Sequence, residues 1–343
     1  MSSFKLHNSR ILGDYKQPYI VAEINTSHFG DLSNAFRMID AAKDCGVDCV
    51  KFQSWTPETL YCPEYYLSNS IARRVIKKFS LSESELLSIS RYCQSSSIDF
   101  ASTPYSIEEA QFLINHCDVP FIKIASMELT NLKFLRKLAA LDYPLVLSTG
   151  MGDQDEILCA ANLIKEYHSN FSILHCNSLY PTPESQTNLL NILGLRDLVN
   201  DQPIGFSDHT VGISVPIASA ALGICILEKH FTLDNSKIGM DNQMATEPAE
   251  FITMVNSIHS VHRSLGSHHR QISEEEKSQR LKMRRSAVTV SNLCAGHVLT
   301  IDDVCFMRPG DGIPPNEIDL FIGRKLVCDV SKGYVLKANH FSS

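Results

Sequence analysis

The sequence predicts a (β/α)8 barrel followed by a small β-rich domain. Three observations carry this expectation. Eight short apolar runs of strand type each close in polar residues, segments of helical periodicity separate most of them, and after Leu265 the texture changes to a charged segment and then to short β-like runs and turns. The expected division is a barrel over residues 1–270, a linker over 271–285 and a β domain over 286–343.

Length and composition agree. At 343 residues the chain exceeds one ordinary domain of about 100–200 residues and suits one large domain with a smaller companion. A hydrophobic content of 44% with 20% charged residues is that of a soluble globular protein, and no apolar run of about 18 residues or apolar leader core occurs. A cytoplasmic protein without a membrane partner is expected. The formal net charge of −7 and the lack of long Lys/Arg runs argue against nucleic acid as a partner. Eleven cysteines with no CxxC pair read as reduced thiols, and Cys49, Cys93, Cys159, Cys176 and Cys225 read as small buried hydrophobes.

The first strand starts at Tyr19 and closes on Glu23, with Asn25, Ser27, His28 and Gly30 beyond it. Residues 32–45 show helical periodicity through Phe36, Ile39 and Ala42, and Gly46 is a natural stop. In the second strand, 49–54, alternation gives Val50 and Phe52 to the covering helices and leaves Lys51 and Gln53 on the inner face. A long segment follows, in which Ser82 and Glu85 form a capping box. The third strand, 100–103, ends in hydroxyls, and Ser106 with Glu109 is expected to form a second capping box. The fourth, 121–126, again sets a lysine, Lys123, opposite its isoleucines, and the fifth and sixth lie at 145–148 and 171–176.

The last two runs end in histidines. Ser207 and His209 share one face, as do Ile224, Ile226, Glu228 and His230. If these strands are neighbours, both imidazoles emerge at one end of the sheet, either as a seat for a divalent metal or as hydrogen-bonded structural histidines. With two protein nitrogens the shell must be completed by water and substrate oxygens, which suits Mn²⁺ or Mg²⁺ better than Zn²⁺.

In a barrel the C-terminal strand ends converge, so residues two hundred positions apart share one bowl. A lysine is rarely buried without an anion, so Lys51 and Lys123, with Thr103, Ser126 and Ser148, read as a phosphate or carboxylate cradle. The alternative is that each lysine pairs with a structural carboxylate such as Glu23 or Glu228. Glu23, Glu128 and Asp241 are candidate acids or bases, or caps and loop anchors. Alternation sends His175 outward, and His28 reads either way. In the tail, residues 296–304 match 333–341 in apolar positions, a short internal repeat, and the turn-rich loop between the copies carries Arg308.

Taken in order, several stretches resemble the sialic acid synthases and their legionaminic and pseudaminic acid relatives. These are Glu23 to Asn25 with His28 and Gly30, Lys51 to Gln53, residues 102–104, Lys123 through Ser126 to Glu128, residues 148–151, His175 with Cys176, Tyr180 to Pro183, residues 205–209, Leu227 to Phe231, Asp241, and Arg308 to Gly310. The resemblance implies a barrel joined to an antifreeze-like (SAF) domain and a metal-dependent condensation of phosphoenolpyruvate with an N-acyl hexosamine. It implies metal ligands at His209 and His230. Phosphoenolpyruvate contacts would fall on Lys51, Thr103, Lys123, Ser126, Ser148, Ser178 and Ser207, and sugar-side groups on Glu23, Gln53, Tyr180 and Asp241. Glu128 and Glu228 match further active-site carboxylates. Arg308 matches an arginine delivered into the partner subunit's barrel in a domain-swapped homodimer. Ser27, Asn177 and Ser178 sit where members differ, which leaves the acceptor sugar open. A keto-acid sugar aldolase and a non-catalytic carbohydrate-binding protein are the competing readings.

Overall fold

The computed structural model describes residues 2–342, and the chain divides into two compact units after Leu265. The helical linker expected from its charge pattern, Glu274–Met283, belongs to the second unit and is capped by Ser273, whose hydroxyl accepts from the Glu276 amide.

The first unit opens with an antiparallel hairpin of β1 (Ser3–Lys5) and β2 (Ile11–Gly13), too short to show any periodicity in the sequence. Eight parallel strands follow: β3 (Tyr19–Glu23), β4 (Cys49–Gln53), β5 (Asp99–Thr103), β6 (Ile122–Ile124), β7 (Leu145–Ser148), β8 (Phe171–Cys176), β9 (Ile204–Asp208) and β10 (Ile226–His230). They form one sheet in the order β5-β4-β3-β10-β9-β8-β7-β6, and the end strands β5 and β6 approach within 8 Å, so the sheet is a nearly closed barrel. The barrel expectation holds strand for strand.

Alternation within each strand divides two cores. Ile20, Ala22, Val50, Phe52, Ile122, Ile124, Leu145 and Leu147 face the surrounding helices and join one large apolar layer. The opposite faces contribute Val21, Cys49, Ala101, Val146, Leu174 and Ile226 to a smaller interior cluster, completed by Phe4, Leu6 and Leu12 of the hairpin region. The hairpin thus closes the N-terminal end of the barrel, and what alternation places above this apolar layer is polar. Gly205 is required there, because a Cβ would lie 2.4 Å from Leu174 Cδ2 and 2.7 Å from the Ile226 carbonyl oxygen.

Three local expectations need correction. Ile224 packs in the outer core, since the strand begins only at Ile226 and alternation does not extend before it. Ser106 caps the helix Ile107–His116, but Glu109 accepts from the Tyr105 amide instead of closing the reciprocal box. Cys159 is exposed on the helix Gln154–Lys165, while Cys49, Cys93, Cys176 and Cys225 are buried.

The second unit pairs β11 (Ser286–Thr289) with β12 (Val304–Met307) and buries its own cluster around Ala287, Leu299, Leu326 and Leu336. The internal repeat is structural. Gly296 and Gly333 both take positive φ, Leu299 and Leu336 are both fully buried, and each copy ends in a capped 3₁₀ turn, Ile301–Asp303 and Ala338–His340. Among the described residues no helix is long and apolar enough to cross a membrane.

Candidate active site

The inward faces of the strands meet in a cavity of about 360 Å³ at the C-terminal end of the barrel. Strand register brings the charged groups together. Glu23 is the pairing neighbour of both Lys51 and His230, and Glu228 that of Ser207. Of the residues singled out in the sequence, Glu23, Lys51, Gln53, Thr103, Lys123, Ser126, Ser148, Ser178, Tyr180, Ser207, His209, Glu228, His230 and Asp241 all line this cavity.

The two inner lysines have different surroundings. Lys51 Nζ stands 2.5 Å from Glu23 Oε2 and 3.7 Å from Glu228 Oε2, the two carboxylates named for it in the sequence, and donates to Thr103 Oγ1 at 3.0 Å. Lys123 Nζ donates to Ser148 Oγ at 2.6 Å and to the Ile124 carbonyl at 3.1 Å, and among the described residues no carboxylate lies within 4 Å of it. Burial pulls the Lys123 ammonium below its ordinary pKa. Glu23 is pushed upward, first by burial and then by Glu228, while Glu228 is held low against its own burial by Lys123 and Lys51. A buried cation whose hydrogen-bond partners are a hydroxyl and a carbonyl, and whose balancing carboxylate Glu228 acts only at longer range, suits an incoming anion.

Hydroxyls surround it. Ser126 Oγ accepts from the Gly150 amide at 3.0 Å, and a Cβ at position 150 would lie 2.2 Å from Ser178 Oγ, so glycine permits this approach. The 3₁₀ turn Ser126–Glu128 that follows β6 points Ser126 inward. The same turn sets Glu128 outside the residues that line the cavity, where it accepts from Asn131 Nδ2 at 2.7 Å while its charge still acts on the cavity residue Tyr105.

The imidazoles of His209 and His230 lie 5.4 Å apart, centroid to centroid, and Tyr180 packs over His209 at 4.2 Å. Register explains this, because β9 and β10 are neighbours. His209 Nδ1 donates to the Asn177 carbonyl at 2.6 Å, leaving Nε2 as the lone-pair nitrogen, and, against its burial, Cys176 with the Asn177 carbonyl raises the ring's pKa. Burial keeps the His230 ring neutral, with its pKa well below the usual value. Two imidazoles so prepared fit a divalent cation that takes its remaining ligands from substrate and water, and among the described residues no cluster of three or more ligating side chains exists.

Elsewhere, Asp208 turns outward into a buried ion pair with Lys229 at 2.7 Å, and His175 is an outer-face residue bonded to the Thr187 carbonyl and stacked on Phe206. His28 is buried beneath the rim, outside the cavity lining. Arg308 is exposed on the second unit, and among the described residues its one hydrogen bond runs from Nε to the Met283 carbonyl at 3.1 Å.

Sequence reasoning missed Tyr105 and Asn25 as cavity residues. Tyr105 donates to Gln53 Oε1 at 3.0 Å, which turns the Gln53 amide nitrogen toward Glu23 Oε1 at 2.8 Å. Both sit within two residues of a strand's C-terminal end, the position that a barrel assigns to its site.

The comparisons agree with this arrangement. The model of the NeuB family matches residues 38–270 and that of the SAF domain residues 284–342. The N,N'-diacetyllegionaminic acid synthase of Legionella pneumophila is 34% identical over 356 residues, spanning 100% of this chain and 99% of that protein. The human N-acetylneuraminate-9-phosphate synthase is 32% identical over 334 residues, 94% of this chain and 92% of its own. The solved N-acetylneuraminic acid synthetase of Leptospira borgpetersenii, in complex with citrate, has a TM-score of 0.75 at 32% identity, covering 81% of this chain and 95% of that one. A barrel with paired inner lysines and histidines at its mouth, followed by a SAF domain, makes this chain a member of the NeuB family, the sialic acid synthases.

Proposed function

We propose that the protein condenses phosphoenolpyruvate with the open-chain aldehyde of an N-acyl hexosamine, N-acetylmannosamine or a 6-deoxy diacetamido analogue. Water is consumed, and a nine-carbon nonulosonate and phosphate are released. The observation that carries this reading is Lys123, a buried ammonium that among the described residues donates to a hydroxyl and a carbonyl, in a cavity with a second lysine and two histidines.

Phosphoenolpyruvate brings the missing negative charge. Its phosphate and carboxylate suit Lys123, Lys51 and the hydroxyls of Thr103, Ser126, Ser148, Ser178 and Ser207, an electrostatic cradle in a dry site. His209 and His230 would hold Mn²⁺ or Mg²⁺, which supplies Lewis-acid activation of the aldehyde oxygen. Glu23, Gln53, Tyr180 and Asp241 orient the sugar hydroxyls, and Glu23, raised toward neutrality by burial, is suited to move a proton as the alcohol forms. After attack by the enol carbon, water adds at the cationic centre and phosphate leaves from the tetrahedral intermediate, its charge held by the lysines. Exposed Arg308 suits delivery into the mouth of a second copy's barrel, which would make the protein a domain-swapped homodimer.

The test is phosphate release by purified protein with Mn²⁺ and phosphoenolpyruvate. Release is expected only when the amino sugar is added, to be lost in His230→Ala at an unchanged unfolding midpoint. Failure with N-acetylmannosamine and with the 6-deoxy diacetamido sugars alike sinks the reading.

A further inference from the structure

The cavity has two chemically distinct ends. On β6, β7 and the segment after β8 stand Lys123, Ser126, Ser148 and Ser178, a cation among hydroxyls. Across it, on β3, β4 and the 233–247 segment, stand Glu23, Asn25, Gln53 and Asp241, carboxylates matched with amides.

Asn25 has an unusual backbone. It is a non-glycine residue at φ +44°, immediately beyond β3, a conformation that costs side-chain-bearing residues energy and that Asn tolerates best. One contact to its backbone comes from the buried His28 ring, which bonds to the Asn25 carbonyl and is itself oriented by the Gly30 amide, donated to its Nδ1 at 3.0 Å. From this position the Asn25 amide nitrogen donates to Asp241 Oδ2.

Asp241 is presented by a clamped loop. The side chain of buried Asn242 accepts from Thr232 Oγ1 at 2.6 Å and donates to the Asp234 and Lys237 carbonyls at 2.9 and 2.8 Å. That clamp places the backbone next to Asp241, but among the described residues Asn25 supplies the one side-chain hydrogen bond to its carboxylate. One oxygen is thereby engaged and the other left for a ligand hydroxyl or amide.

We propose that Asn25 is the positioning residue that fixes Asp241 as the acceptor-sugar anchor, so that the tie between them sets affinity for the amino sugar and leaves phosphoenolpyruvate binding unaffected. This deepens the condensation reading above and rests on it for the identity of the two ligands.

Asn25→Gly tests it, because glycine adopts positive φ freely and the variant removes the side chain without straining the turn. Loss of one charge-assisted hydrogen bond predicts a rise of about tenfold in KM for the amino sugar. KM for phosphoenolpyruvate should stay within about twofold, with an unchanged unfolding midpoint. Asn25→Asp, which keeps shape but sets a carboxylate against Asp241, should be worse than the glycine variant. Equal movement of both KM values, or none in the sugar's, overturns the proposal. Calorimetry of N-acetylmannosamine and its 6-deoxy diacetamido analogue into phosphoenolpyruvate-loaded protein separates the two readings. Wild type that binds a sugar yet releases no phosphate sinks the condensation while the affinity ratio of Asn25→Gly to wild type still decides the role of Asn25. Wild type that binds neither sugar overturns both.

Discussion

Lys51 Nζ lies 2.5 Å from Glu23 Oε2, whereas Lys123, equally buried, meets Ser148 Oγ at 2.6 Å and no carboxylate. The two cations of one cavity therefore contribute unequally to stability. Replacing Lys51 by Met strands Glu23 and Glu228 against each other and should cost about 3–5 kcal/mol, the usual penalty for breaking a buried pair from one side. Replacing Lys123 by Met removes a charge that burial disfavours but also the first of the two ammonium groups that hold buried Glu228 low, so it should cost less than the Lys51 variant, about 1–2 kcal/mol. Both should reduce phosphate release by at least about a hundredfold, since each removes stabilisation of the leaving phosphate. Denaturant unfolding of the two variants checks the contrast, and equal destabilisation would refute it.

A second expectation concerns Tyr105. Its hydroxyl fixes the Gln53 amide so that nitrogen, not oxygen, faces Glu23. In Tyr105→Phe the ring stays and the amide is free to turn, which would set oxygen against the carboxylate in part of the population. Turnover with the amino sugar should fall about fivefold to tenfold, the worth of one hydrogen bond of about 1 kcal/mol or slightly more. The readout is kcat/KM for each substrate, and an unaltered sugar value would show that Gln53 is held by Glu23 alone.

Much of this site was readable before any coordinates. Period-two alternation placed Lys51, Gln53, Lys123, Ser207, Glu228 and His230 on inner faces, because a half-turn per residue survives whatever the tertiary context. Residues beyond the strand ends had no such periodicity to give them away. Tyr105 went unmarked, Asn25 was named beyond the first strand without being given a place in the cavity, and Glu128 lies off the cavity lining, since a 3₁₀ turn redirects side chains within three residues. The hairpin Ser3–Lys5 with Ile11–Gly13 escaped for a different reason: three-residue strands carry almost no pattern, and their burial depends on the open barrel end they cover.

That hairpin yields a third prediction. Leu12 is 2% exposed and packs with Tyr19, Phe121 and Leu174 in the interior cluster, far along the barrel from the cavity. Leu12→Ala should cost about 2–5 kcal/mol, the range for truncating a buried leucine in a close-packed site. Because the apolar layer stands between hairpin and cavity, KM for both substrates should be unchanged at temperatures where the variant is folded. A loss smaller than about 0.5 kcal/mol would mean that the plug is not part of the cooperative unit.

The last prediction is a pH dependence of stability. Burial lowers the His28 pKa from its ordinary value to about 4, and the neutral ring is what the fold uses, accepting the Gly30 amide at Nδ1. Protonation would place an N–H against that N–H. Between pH 6.5 and about 4 the unfolded chain binds a proton at this position and the folded chain does not, so stability rises with pH across the window and falls as pH drops through it. The histidine's contribution is fully present above pH 6.5, and about 3 kcal/mol of it should be gone below pH 4, at about 1.4 kcal/mol per pKa unit. His28→Gln has no ionisable ring, so the stability gap between wild type and variant should shrink or reverse on going from pH 7.5 to 4.5. Guanidinium unfolding at the two pH values measures the gap, and a gap independent of pH would mean that His28 is already free to protonate in the folded protein.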